Sequence, residues 1–128
     1  MSNTIFVVDD SVANLAVAEK ALAGFFNVLT FSSAEKMFPV LQKITPLLIL
    51  LDIEMPDING FEVMRQLKED KAHSKIPVVF LTAMSDAANK AFGIELGASG
   101  FITKPFTASD LLDQIKPYVD FPQTAAAG

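Results

Sequence analysis

Apolar positions along the chain fall into short runs that alternate with stretches of helical spacing. Thr4 to Val8, Phe26 to Phe31, Leu47 to Leu51 and Ile76 to Leu81 have strand length. Three of these runs are continuously hydrophobic, the pattern of strands buried on both faces of a parallel sheet. Between them Val12, Leu15, Ala18 and Leu22, and later Phe61, Met64 and Leu67, recur at the spacing of an amphipathic helix. Capping residues stand where these helices should begin: Ser11, the pair Ser32 and Ser33, Asn59, and Thr107 with Asp110 three residues on as a capping box. An Ala-rich helix is predicted from about Asp86 to Leu96, ended by Gly97, with a short fifth strand at Gly100 to Thr103. Pro39 is expected to kink or delay the second helix and Pro117 to bend or end the last, because proline lacks a donor and clashes with the preceding turn. Gly93 should weaken the fourth helix by about 1 kcal/mol relative to alanine.

Strand followed by helix, five times over, predicts an α/β fold: a doubly wound, five-stranded parallel sheet with right-handed crossovers and helices on both faces. Such sheets bind ligands at the carboxyl ends of their strands. Asp9 and Asp10 follow the first strand, Asp52 the third, Thr82 the fourth and Lys104 the fifth, so all five side chains share that edge. Two carboxylates about 4 Å apart repel by roughly 4 kcal/mol at an effective dielectric near 20, so a proton or a cation must relieve three of them. Oxygen ligands without neighbouring His or Cys favour a hard ion, and Mg²⁺ typically takes one or two carboxylates while keeping waters that a phosphate can replace. With Lys104 as a fixed positive charge and Thr82 as a hydroxyl donor, the set suits phosphoryl transfer to a carboxylate. The plainer alternative, helix caps and solvated loop acids, covers Asp9 and Asp10 but neither Asp52 within Leu51-Asp52-Ile53 nor Lys104 before Pro105.

Length and composition narrow the classes further. The 128 residues, 51% of them hydrophobic, suit one domain, placed at residues 1–120 with 121–128 as a tail or linker. Fifteen acidic against ten basic residues leave a net charge of −5, which argues against direct nucleic-acid binding. No cysteine is present for a disulfide or thiolate site, and no apolar run approaches the roughly 20 residues of a membrane span. The first residues lack the features of a secretory signal, so a cytoplasmic location is expected. His73 is expected to be solvent-exposed in the loop from Asp70 to Lys75, and Lys68, Lys71 and Lys75 to form a solvated basic cluster.

Four segments together resemble the receiver domain of two-component response regulators, a family that includes stand-alone chemotaxis-type members. They are Ile5 to Ser11 (IFVVDDS), Leu50 to Glu62 (LLDIEMPDINGFE), Pro77 to Ala83 (PVVFLTA) and Gly97 to Phe106 (GASGFITKPF). The resemblance runs from about Thr4 to Val119. It implies a flavodoxin-like (βα)5 fold with strand order 2-1-3-4-5. It further implies that Asp52 accepts a phosphoryl group from a phosphohistidine of a sensor histidine kinase or histidine phosphotransfer protein. Asp10, Asp52 and the backbone carbonyl of Glu54 would bind Mg²⁺, with Asp9 acting directly or through a water. Thr82, Ala83 and Lys104 would contact the phosphoryl group, Phe101 would be the switch aromatic, and the Lys104-Pro105 bond would be cis. The domain would be a phosphoacceptor that assists its own phosphorylation and dephosphorylation, not a turnover enzyme. Two charge-assisted hydrogen bonds at roughly 1.5 to 3 kcal/mol each reach the order of the 5.5 kcal/mol that carries a two-state equilibrium from 1:99 to 99:1. The expected output face is the fourth helix, fifth strand and fifth helix, which would bind a downstream protein or a second copy.

The sequence also departs from the family's pattern. Phe101 stands where many members have tyrosine, so only a packing switch can operate there. Glu54 and Met84, each two residues beyond an active-site residue, should border the path of a water attacking the acyl phosphate and modulate its lifetime. Three alternatives share parts of this chemistry. A haloacid-dehalogenase-type phosphatase also uses an Asp nucleophile, but needs Asp-x-Asp where this chain has Asp9-Asp10. A flavodoxin-like electron carrier needs a glycine- and hydroxyl-rich loop in place of Asp9-Asp10-Ser11-Val12. A receiver cut from a longer regulator would look the same as a stand-alone one.

Overall fold

The computed structural model describes residues 3–56, 58–83 and 87–121. Its elements are β1 (Thr4–Val8), α1 (Val12–Leu22), β2 (Asn27–Phe31), α2 (Ala34–Leu41), β3 (Leu48–Asp52), α3 (Gly60–Glu69), β4 (Val78–Thr82), α4 (Ala87–Glu95), β5 (Gly100–Thr103) and α5 (Ala108–Ile115). All pairings are parallel and the order is β2-β1-β3-β4-β5, the doubly wound arrangement that the alternating pattern predicts.

The continuous hydrophobic runs have a direct cause: both faces of the central strands are covered. Phe6, Val8, Ile49, Leu51 and Phe80 pack beneath α2 and α3, while Ile5, Val7, Leu48, Leu50, Val79 and Leu81 pack beneath α1 and α5. Successive residues therefore enter opposite halves of the core, and every residue of β1, β3 and β4 is buried. Edge strand β2 is buried only at Phe31, which is why its pattern is mixed.

The capping signals act as read. Ser11, Ser33 and Asn59 each accept a backbone N–H from the first turn of the helix that follows, and Thr107 forms a full capping box with Asp110. Several boundaries differ from the pattern. Asp52 and Thr82 are the last residues of their strands, because Asp52 pairs with Leu81 and Thr82 with Thr103. Pro39 lies inside α2, and α5 stops at Ile115, the end expected from Pro117. The predicted start of the fourth helix at Asp86 lies outside the described residues, as do Met84 and residues 122–128.

His73 corrects the expectation of an exposed side chain. It is buried, with Nδ1 3.2 Å from Asp70 Oδ2, because the turn beyond α3 folds inward: its own N–H donates to the Asp70 carbonyl and its carbonyl accepts from Ile76. Beyond α5, Phe121 packs edge-on to the rings of Phe25 and Phe26, at 5.1 and 5.3 Å. No helix among the described residues is long and apolar enough to cross a membrane.

Candidate functional site

Four strand ends converge at the carboxyl edge of the sheet. Asp9 follows β1, and its N–H continues the ladder by donating to Phe31 at 3.0 Å. Asp52 closes β3, and the Lys104 N–H, just past β5, donates to the Thr82 carbonyl at 2.8 Å. Asp9, Asp10 and Asp52 bring one carboxylate oxygen each to within 4.8 Å of one another. Asp9 and Asp52 are buried, while Asp10 is exposed at the rim.

Lys104 crosses from β5 to tie two of these acids together. Its ammonium donates to Asp52 Oδ1 at 2.9 Å and to Asp9 Oδ2 at 3.2 Å. The Lys104–Pro105 peptide bond is cis. Asp9 is held on all sides: Oδ1 accepts the Ser11 N–H at 2.8 Å, and Oδ2 also accepts from the Asn14 side-chain amide at 3.2 Å. Asp52 is held on one oxygen only. Oδ1 accepts from Lys104 and from the Glu54 N–H at 3.3 Å, whereas Oδ2 is buried and has no hydrogen-bond donor among the described residues.

Electrostatics follow this geometry. Burial pushes the Asp52 carboxyl up to about 6; the Lys104 hydrogen bond opposes the rise and the Asp9 charge adds to it. Burial alone would lower the Lys104 ammonium, but its hydrogen bond to Asp52 and the charges of Asp9 and Asp52 outweigh that and hold it above its ordinary value. One lysine thus balances two buried acids, leaving negative charge and an unpaired buried oxygen at a rim that Asp10 borders. That donor set, three carboxylates against one ammonium, fits a hard divalent cation.

The backbone below the Asp52 carboxyl leaves no slack. The Gly60 N–H donates to the Ile53 carbonyl at 2.7 Å, and a β-carbon on Gly60 would lie 2.4 Å from the Asp52 carbonyl oxygen. The start of α3 is therefore seated directly on the end of β3. Thr82 is buried, Ala83 is exposed beside it, and Phe101 is half-buried with its ring 5.6 Å from that of Phe80. Glu54 is exposed, and among the described residues Lys104 pairs with Asp9 and Asp52, not with Glu54. Asn14 is the site residue the sequence pattern did not single out; its signal is a polar side chain one helical turn past Asp10, on the face of α1 nearest the strand ends.

An open, doubly wound α/β domain with this acidic, lysine-bridged pocket at its carboxyl edge belongs to the flavodoxin-like class. The response regulator receiver domain family matches residues 5–116, and the chain belongs to that family. It is 37% identical over 122 residues to the response regulator PleD of Caulobacter vibrioides, covering 94% of this chain and 27% of that protein. It is 34% identical over 116 residues to a probable cyclic di-GMP phosphodiesterase of Vibrio cholerae, covering 91% of this chain and 26% of that protein. The chain thus spans about a quarter of the length of these relatives. In fold it matches the Vibrio cholerae chemotaxis protein CheY4 with a TM-score of 0.86 at 24% identity, over 93% of this chain and 100% of that one.

Proposed function

We propose that this chain is a cytoplasmic phosphoacceptor whose Asp52 takes a phosphoryl group from a phosphohistidine of a sensor kinase or phosphotransfer protein. The observation that carries this reading is the unequal holding of the Asp52 carboxylate: Oδ1 is pinned by Lys104 and the Glu54 N–H, and Oδ2 is buried without a donor. A carboxylate fixed by one oxygen and unsatisfied at the other is oriented and uncommitted, as an in-line nucleophile requires. In the transfer a P–O bond forms to Asp52, the donor's P–N bond breaks, and its electron pair returns to the imidazole nitrogen.

Asp10, Asp52 and the Glu54 carbonyl, with Asp9 directly or through a water, would hold Mg²⁺, which when bound supplies neutralising charge for the phosphoryl oxygens. Lys104 is already at the pocket and turns toward a phosphoryl oxygen, and Thr82 supplies a hydroxyl from the end of β4. Phosphate on Asp52 then biases Thr82 and the Phe101 ring. The α4–β5–α5 face carries the output to a downstream protein or a second copy; α4 presents Ile94, half-exposed, to such a partner. The chain accepts one group and does not turn over substrate.

Intact mass tests the reading after incubation with Mg²⁺ and acetyl phosphate. A gain of one phosphoryl group is expected, dependent on Mg²⁺ and absent in Asp52→Asn. An unchanged mass under conditions that trap acyl phosphates would overturn it.

A further inference from the structure

Resting on the phosphoacceptor reading, we propose that Asn14 is a positioning residue for Lys104: its amide keeps the Asp9 carboxylate satisfied when the ammonium leaves it for a phosphoryl oxygen. Asn14 sits in the first turn of α1, where its N–H donates to the Ser11 cap at 3.3 Å. From there its side-chain Nδ2 reaches Asp9 Oδ2 at 3.2 Å, the same oxygen that accepts from Lys104 at 3.2 Å. Asp9 is 0% exposed, and its other oxygen is served by the Ser11 N–H.

A buried carboxylate oxygen that loses its donor carries the full desolvation penalty of an unsatisfied charge. The Lys104 ammonium spends two of its three donors on Asp9 and Asp52, so a phosphoryl group on Asp52 competes with Asp9 for its position. With Asn14 in place, Asp9 Oδ2 keeps one protein donor after Lys104 moves. With an aliphatic side chain there, the same movement takes the last side-chain donor from that oxygen, and Lys104 is held closer to Asp9. Asn14 therefore acts through Lys104 and touches neither phosphorus nor its leaving group.

The test compares wild type and Asn14→Ala as full chains taking phosphate from acetyl phosphate, whose P–O bond to acetate breaks as the Asp52 P–O bond forms. At saturating Mg²⁺ the maximal uptake rate should fall about fivefold, the factor that one hydrogen bond's net worth corresponds to. The Mg²⁺ dissociation constant, read by calorimetry on the unphosphorylated protein, should stay within about twofold, since a charge-neutral amide is lost and the acids remain. Unchanged uptake in Asn14→Ala overturns the proposal, and so does a fall matched by an equal loss of Mg²⁺ affinity, the mark of a clamp that merely shapes the pocket. A wild-type chain that takes up no phosphate overturns the phosphoacceptor reading and this one with it, whereas normal uptake by Asn14→Ala overturns this one alone. Should the variant fail to fold, NMR on the unaltered protein decides. On addition of Mg²⁺ and beryllofluoride the Asn14 side-chain amide protons should remain protected from exchange, and their release would overturn the proposal.

Discussion

The Lys104 ammonium donates to Asp52 Oδ1 at 2.9 Å across 52 positions of sequence, joining the end of β5 to the end of β3 over the intervening β4. The pair is nearly dry: the Asp52 side chain is 2% exposed and that of Lys104 18%. Removing the cation leaves Asp9 and Asp52 buried together without their shared counter-charge. Lys104→Met should therefore destabilise the metal-free protein by about 3 kcal/mol, the scale of a broken buried ion pair. Added Mg²⁺ should return part of that loss. Urea unfolding with and without the ion reads both effects, and a variant as stable as wild type would contradict this assignment of charge balance.

Asp52 also predicts a pH dependence. Its carboxyl titrates at about 6 in the folded chain against an ordinary 3.8, so the folded state binds the extra proton between those values. Stability from this group falls as pH rises from about 4 to about 6, and the cost of keeping it ionised is fully present above that window. Asp52→Asn removes the cost. It should stabilise the metal-free protein at pH 7.5 by up to about 3 kcal/mol, the worth of a shift of roughly two pH units. The gain should shrink as pH falls below 6. A gain that is constant with pH would rule out this origin.

Two glycines in tight places should respond differently to alanine. At Gly60 the new β-carbon would meet the Asp52 carbonyl at 2.4 Å and the Ile53 α-carbon at 2.7 Å, backbone atoms that cannot yield without moving the end of β3. At Gly100 it would meet the phenol oxygen of Tyr118 at 1.9 Å, the far end of a side chain that can swing away. Gly60→Ala should cost at least about 3 kcal/mol and disturb Asp52, while Gly100→Ala should cost about 1 to 2. Thermal unfolding of the two variants checks the order.

Gly93 sets helix propensity against packing. Alanine there would stabilise an isolated helix by about 1 kcal/mol. In the fold its β-carbon would lie 2.6 Å from Cζ of Phe101, and the Phe80 ring closes the space at 3.3 Å. Overpacking at roughly 1 to 3 kcal/mol outweighs the propensity gain, so Gly93→Ala should be destabilising and should push the Phe101 ring from its seat. Combining it with Phe101→Leu should recover stability, which a melting series would show.

These cases mark what the sequence discloses. The sheet and its carboxyl-edge residues were legible because burial on both faces forces continuous apolar runs, and because charged residues at the ends of such runs have one edge to occupy. Asn14 was not, since a polar side chain one turn past Asp10 is ordinary in a first helical turn and only its distance to Asp9 gives it a role. The same holds for His73: the inward fold of its turn depends on the Asp70 carbonyl and carboxylate, which local composition does not reveal. Gly93 reads as a weakness in a helix and is in the structure a seat for the Phe101 ring of β5.

Entry of phosphate on Asp52 and nowhere else can be read at the atom. Protein exposed to Mg²⁺ and acetyl phosphate is reduced with borohydride, which converts an aspartyl phosphate to homoserine and leaves phosphoserine, phosphothreonine and free carboxylates intact, and is then mapped by peptide mass. Homoserine is expected at position 52, dependent on Mg²⁺. Homoserine at position 9 or 10 in place of 52, or phosphate retained on His73 or a hydroxyl side chain with Asp52 intact, would contradict it.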